Sequence, residues 1–245
     1  MANLLTNYLG GKDKGSRRNS LPKTMASGSV SERGTTEYPR YSRDINLNTD
    51  RIVDGEANLY ALLLSHLQNV WRDQLVLVPE TAPPNLGEPL VMSSIRAYRY
   101  VTFNGLQYGS GIKHGGFPYC HGYIEGHVPV RIAVILRVKH IRPNANLPPL
   151  EHTCAIVQRF VRHPNTPSMP WDLHAIDLGI GVWNVDKLHQ PEVIEITRMS
   201  GHFALGTVRY RSRSFWVSMS VCHDAQEPDA VLNVNAERNE EEDDL

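Results

Sequence analysis

The sequence predicts a mainly β fold, an antiparallel barrel-like or sandwich domain over residues 91–223, and three observations carry that expectation. First, short runs rich in Val, Ile, Tyr and Phe follow one another from Val91 to Cys222. They recur about every ten residues with Gly and Pro between them, the rhythm of strands and turns. Second, Val130–Ile141 alternates: Ile132, Val134, Leu136 and Val138 fall on one parity, and Arg131, Arg137 and Lys139 on the other, with Ala133 and Ile135 among them. A period of two sends these sets to opposite faces of a pleated strand, so one buried face and one basic stripe are expected. Third, Asn104-Gly105 separates two such runs, and both residues tolerate the positive φ of a tight hairpin turn.

Residues 1–43 are rich in Ser, Gly, Thr, Lys and Arg, with eight basic and three acidic side chains. Such a segment buries too little apolar surface to offset its conformational entropy, so a disordered basic tail is expected. Lys12, Lys14, Arg17, Arg18 and Lys23 suit a solvated linker or a basic nuclear-import signal. Residues 44–90 read as one helix and a proline-rich linker. Over Asp54–Gln74, Leu59, Leu62, Leu63, His66, Leu67, Val70 and Trp71 recur at three- and four-residue steps, the stripe of an amphipathic helix, with Asp54 as its N-cap. Pro79, Pro83 and Pro84 end it. Strands are then expected near Val91–Phe103, Leu106–Tyr108, Tyr119–Ile124, Val130–Ile141, Thr153–Val161, Gly181–Asn184, Val193–Met199, Phe203–Arg211 and Phe215–Cys222. Residues 224–245 hold nine acidic side chains and one Arg and read as a disordered acidic tail.

The net charge of −1 is therefore segregated: about +5 at the N-terminal end, −8 at the C-terminal end, and near neutrality between. Three cysteines are too few and too scattered for a secreted disulfide framework, and no apolar run approaches the ~20 residues of a membrane helix. A chain with no membrane segment, intracellular and nuclear rather than cytoplasmic, is expected.

Motifs for catalysis are sparse. Cys120, Cys154 and Cys222, with His121, His127 and His223 nearby, supply metal-ligand chemistry, but there is no Cys-x-x-Cys and three separate strands would have to converge. Buried strand cysteines explain them more simply. Cys222-His223-Asp224 cannot fold back into a relay, and the glycines from 105 to 116 lack a phosphate-loop spacing. No cofactor is expected. What remains is basic and aromatic surface. Arg209, Arg211 and Arg213 alternate in VRYRSRS and share a face if the strand runs to Ser214. With Arg131, Arg137 and Lys139 they could track phosphates.

The order of FNGLQYG, CAIVQRF, DLGIGVW, PEVIEI and GHFALGTV resembles the non-catalytic, β-rich C-terminal region of fungal transposon-encoded proteins of the KDZ-type and related CACTA-like groups. The likeness spans roughly Arg43–Asp224. It implies a mobile-element origin, a catalytic core that would lie upstream, and no catalytic residue here; in architecture the β-region is also similar to the bromo-adjacent homology class of chromatin-binding barrels. The expectation is a non-enzymatic binding module contacting DNA, RNA or chromatin through Arg131, Arg137, Lys139, Arg209 and Arg211. The alternatives are a protein-interaction module without nucleic-acid binding, and a metal-dependent hydrolase.

Overall fold

The structure, a computed structural model, describes residues 36–40, 42–50, 52–53, 57–83, 85–111, 119–125, 127–142, 147–162, 166, 168–176 and 178–221. In chain order the strands are β1 Thr36–Glu37, β2 Ser42–Asp44, β3 Leu77–Pro79, β4 Glu88–Leu90, β5 Ile95–Tyr98, β6 Tyr100–Phe103, β7 Leu106–Gly109 and β8 His121–Ile124. They continue as β9 Val128–His140, β10 Leu150–Arg162, β11 Gly181–Leu188, β12 Glu192–Glu195, β13 Met199–Tyr210 and β14 Arg213–Ser220. One helix, α1 Leu59–Val70, stands between β2 and β3.

The β9–β10 hairpin organises everything else. Each strand is 13 residues long, rich in the branched residues that suit a pleated surface, and too long for one small sheet. It is shared between two. The later half of β9 pairs with β5, which carries β2, and the early half of β10 pairs with β12. These five strands form an open antiparallel sheet. The early half of β9 pairs with β8, and pairing continues β8–β13, β13–β14, β14–β11 and back to the late half of β10. That second set closes a six-stranded antiparallel ring, so the barrel-like fold expected from the sequence is present.

A bulge sits where the two halves meet. Val157 pairs with Ile132 and Ile156 with Val134, leaving Ala133 extra on β9. The extra residue inverts the alternation. Before it, Val130 and Ile132 face the core under the β6–β7 hairpin; after it, Val134, Leu136 and Val138 face α1 and Ile135 takes over the first side. The expected single buried face is therefore wrong: β9 is buried on both faces through its middle.

Helix α1 lays Leu59, Leu63, Leu64 and Leu67 on Val134, Leu136, Val138, Cys154 and Ile156. Its cap is Asn58, whose side-chain oxygen accepts from the Ala61 amide at 2.9 Å, not Asp54; residues 54–56 lie outside the described chain. The Trp71 amide closes the helix on the Leu67 carbonyl at 2.8 Å. Replacing Asn58→Ala leaves that first-turn amide unpaired and should cost about 1 kcal/mol, read as a drop in Tm with no loss of cooperativity.

On the opposite face Tyr98, Val101, Phe103 and Tyr108 cover Ile132, Ile135, Ala155 and Val157. The β6–β7 turn is the expected Asn104-Gly105 pair, at φ 50° and 77°. Inside the barrel, Tyr123, Phe160 and Phe203 pack with Trp183, Leu188, Leu205 and Trp216. The expected Val91–Phe103 strand is broken by a 3-10 turn at Met92–Ser94 and again at Arg99, and Val193–Met199 divides into β12 and a 3-10 turn at Ile196–Arg198. β1 and β2 lie partly within the stretch 1–43 expected to be a disordered tail. Residues 1–35 and 41 of that stretch, and the whole acidic tail expected at 224–245, lie outside the described residues. No described helix is long and apolar enough to cross a membrane.

Candidate nucleic-acid interface

Most of the cations in the barrel and sheet meet partners inside the chain. Arg137 and Lys139 both reach Glu151 on the neighbouring strand, Lys139 at 3.2 Å, and the Arg137 guanidinium lies 4.6 Å from the centre of the Tyr38 ring. The hydrogen bond from Arg137, with Lys139 assisting, holds the Glu151 carboxyl below its ordinary range, so these two cations are already largely satisfied. Arg159 pairs with Glu192, and Arg198 with Glu125. Arg96 pairs with Asp44 across β2 and β5.

Arg131 is elsewhere. Its register partner is Gln158, which lies on the α1 side of β10 with Ile156 and Cys154, whereas Arg137 pairs with Thr153 on the other side. The bulge at Ala133 is the cause. Arg131 donates to the Gln158 side-chain oxygen at 2.8 Å within a recess of about 180 Å³ at one barrel mouth, beside Asp186, Leu188 and Trp216. The basic stripe expected on one face of this strand is thus divided, with Arg131 turned away from Arg137 and Lys139.

The β13–β14 hairpin differs from all of these. β13 pairs with β8 only through Met199–His202, and β14 pairs with β11 only through Phe215–Ser218. Residues 208–214 therefore run on as a two-stranded ribbon with no third strand among the described residues. The strand does not persist to Ser214 as expected: Arg211 and Ser212 adopt φ of 49° and 64° and form a tight turn between Tyr210 and Arg213. Arg209 and Arg211 consequently do not share a strand face. Arg209 stands opposite Ser214, whereas Tyr210 stands opposite Arg213, and the Arg211 guanidinium folds to 5.3 Å from the centre of the Tyr210 ring. Arg209, Arg211 and Arg213 are all exposed, and none forms an ion pair with a described residue. The ribbon tip thus holds the Arg211 guanidinium over one phenol ring, with Arg213 directly across the ribbon from that tyrosine and Arg209 next to it in β13. That arrangement can hold phosphate oxygens by charge-assisted hydrogen bonds and offer an aromatic surface to a base. Arg213, which alternation places on one strand face with Arg209 and Arg211, reaches the tip instead from the second strand, across the turn from Tyr210.

Of the three cysteines, Cys120 and Cys154 lie among the described residues. Cys154 is fully buried among aliphatic side chains beneath α1, and burial pushes its thiol up to about 12. Cys120 is half-buried at the start of β8, and Cys222 lies outside the described residues. Among the described residues no group of three or more His, Cys, Asp or Glu side chains is placed to hold a metal ion. A different surface feature escaped the sequence reading: Leu173 and Ile176, in the turn before β11, are 90% and 95% exposed, with Met219 and Val221 also exposed at the end of β14.

Compared with protein-family models, with curated proteins and with solved structures, the chain matches none.

Proposed function

We propose that the chain is a non-enzymatic binding module that contacts nucleic-acid phosphates through the β13–β14 ribbon, acting in the nucleus and derived from the terminal region of a mobile-element protein. The observation that carries this reading is the trio Arg209, Arg211 and Arg213: exposed, unpaired with any described acid, and clustered at the tip of one hairpin, where Arg211 lies over Tyr210. Elsewhere on the sheet Arg137 and Lys139 share one carboxylate, so their contribution to an outside anion is smaller. The acidic end at residues 224–245 competes with phosphate for the same cations.

The test is salt-titrated binding of single- and double-stranded oligonucleotides to the full chain and to a triple variant, Arg209→Glu, Arg211→Glu and Arg213→Glu. Each lost phosphate contact reduces the salt slope by about 0.7 on single strands and 0.9 on duplex. A reduction near two to three units is expected, with affinity at least about a hundredfold weaker at moderate salt. An unchanged slope removes the ribbon from the interface. Removing residues 224–245 should strengthen binding.

A second reading is supported by a separate observation, the near-complete exposure of Leu173 and Ile176. Isolated surface aliphatics are ordinary, but a short turn holding two out together with Met219 and Val221 suits a protein partner. Under that reading Leu173→Ser with Ile176→Ser abolishes partner capture and leaves nucleic-acid binding unchanged.

A further inference from the structure

We propose that the contact between His66 of α1 and His152 of β10 is an acid-sensitive latch that holds the helix on the sheet and releases it as the pH falls. The two Nε2 atoms lie 2.9 Å apart and the rings are centred 5.1 Å apart in the seam between helix and sheet. A hydrogen bond between two neutral imidazoles needs one N–H and one bare nitrogen. A first added proton places a cation where burial disfavours it. A second turns both nitrogens into donors facing each other, and the contact becomes repulsive.

The surroundings sharpen the effect. Trp71, at the end of α1, is centred 6.4 Å from His152 and 6.2 Å from His140, so two histidines border one indole, and His66 adjoins the first of them. His140 is buried, and its Nε2 has no hydrogen-bond partner. All three rings are held below the ordinary histidine range, in each case first by burial. The charged neighbours are few. Glu195 of β12 favours protonation of His66 and His152, and Arg198 opposes it at His66. Glu88 of β4 favours protonation of His140, and Arg142 opposes it. Arg72 and Asp73, just beyond α1, are exposed and pair with each other, and the Cys154 thiol stays neutral. One nearby carboxylate can accommodate one proton on the pair but not two.

Lifting α1 frees the rings to take protons at their ordinary value near 6.5. The lifted form binds more protons, so acidification favours it. It also bares Leu59, Leu63 and Leu67 and the sheet face beneath them, which gives the low-pH form an apolar surface that the neutral form covers. The latch is independent of the arginine ribbon, and either can fail without the other.

The experiment is amide hydrogen exchange by mass spectrometry on the full chain between pH 7.5 and 5, with rates corrected for intrinsic chemistry. Below the ordinary histidine value, protection of peptides from α1 should fall about tenfold per pH unit for each linked proton. Peptides from β13 and β14 should lose protection less steeply, and by the same amount in the His66 and His152 variants as in the parent. In His66→Gln and in His152→Gln the pH dependence at α1 should be largely lost. A proton NMR titration of the wild-type rings keeps the idea testable if either variant does not fold. Both rings must then remain neutral until α1 opens. Protection of α1 that is independent of pH, or equally pH-dependent in the variants, overturns the latch, as do rings that titrate near 6.5 while α1 stays closed.

Discussion

Inserting one alanine after Ala133 should abolish cooperative folding, whereas Ala133→Gly should leave a folded protein less stable by about 1 kcal/mol. Ala133 already stands extra between the pairs Ile132–Val157 and Val134–Ile156, and a second extra residue shifts one half of β9 by one position. If the barrel half keeps its register, Val134, Leu136 and Val138 turn away from α1, and Arg137 and Lys139 turn into its apolar face. If the sheet half keeps its register, Arg131 leaves Gln158 for the core that holds Ile124, Ile135 and Val157. Either slip buries a guanidinium without its present acceptor and strips several aliphatic side chains of their cover. Each such side chain is worth about 1.5–3 kcal/mol, so a handful exceeds the ~5–15 kcal/mol that holds a domain folded. Deleting Ala133 instead joins Ile132 to Val134 and keeps both pairings and both faces, so that variant should still fold. Near-UV circular dichroism and thermal melts decide it. An insertion variant melting cooperatively within about 5 °C of the parent would mean that a second extra residue can be absorbed in the bulge.

The same bulge marks the boundary of what the sequence discloses. Alternation identified β9 as a strand, and the Asn104-Gly105 pair placed a hairpin, because both signals are local. The inversion at Ala133 has no local sign, since no Gly or Pro marks it and the run from Val130 to Leu136 is apolar on both parities save Arg131. Only pairing with β10 reveals it. The turn at Arg211-Ser212 is hidden for a related reason: neither residue is among the usual occupants of positive φ, so VRYRSRS reads as one continuing strand. Asp54 and Asn58 are both chemically suitable caps. The choice of Asn58 follows from where Leu59, Leu63 and Leu67 must sit to meet the sheet. The pairing of Arg137 and Lys139 with Glu151 depends on cross-strand register. Sequence alternation therefore could not distinguish a satisfied arginine from a free one.

Acidification should also weaken the barrel itself, through His121. Its ring lies among Phe160 and Phe203 at centroid distances of 6.1 and 5.5 Å, and its register partner across β8–β9 is Arg131. Burial first, and the Arg131 charge second, lower its value to about 4. The unfolded chain takes up a proton near pH 6.5 and the folded barrel does not until near 4, so the unfolded state binds more protons throughout that window. The contribution of His121 to stability is complete above pH 6.5, is lost as the pH falls towards 4, and changes no further below it. Part of the ring is reached by solvent, which leaves about 1–2 kcal/mol of a shift that would otherwise be worth more. At roughly 2–4 °C per kcal/mol for a chain of this size, His121→Phe should melt several degrees above the parent at pH 5. At pH 8 the two should nearly coincide, because the substitution removes only the penalty for charging a buried ring beside a guanidinium. Equal melting temperatures at pH 5 would show that the ring is solvated in the folded barrel. A local latch at α1 and a global weakening of the barrel also separate in one experiment: the first opens helix peptides alone, and the second lowers protection in β8, β13 and β14 together.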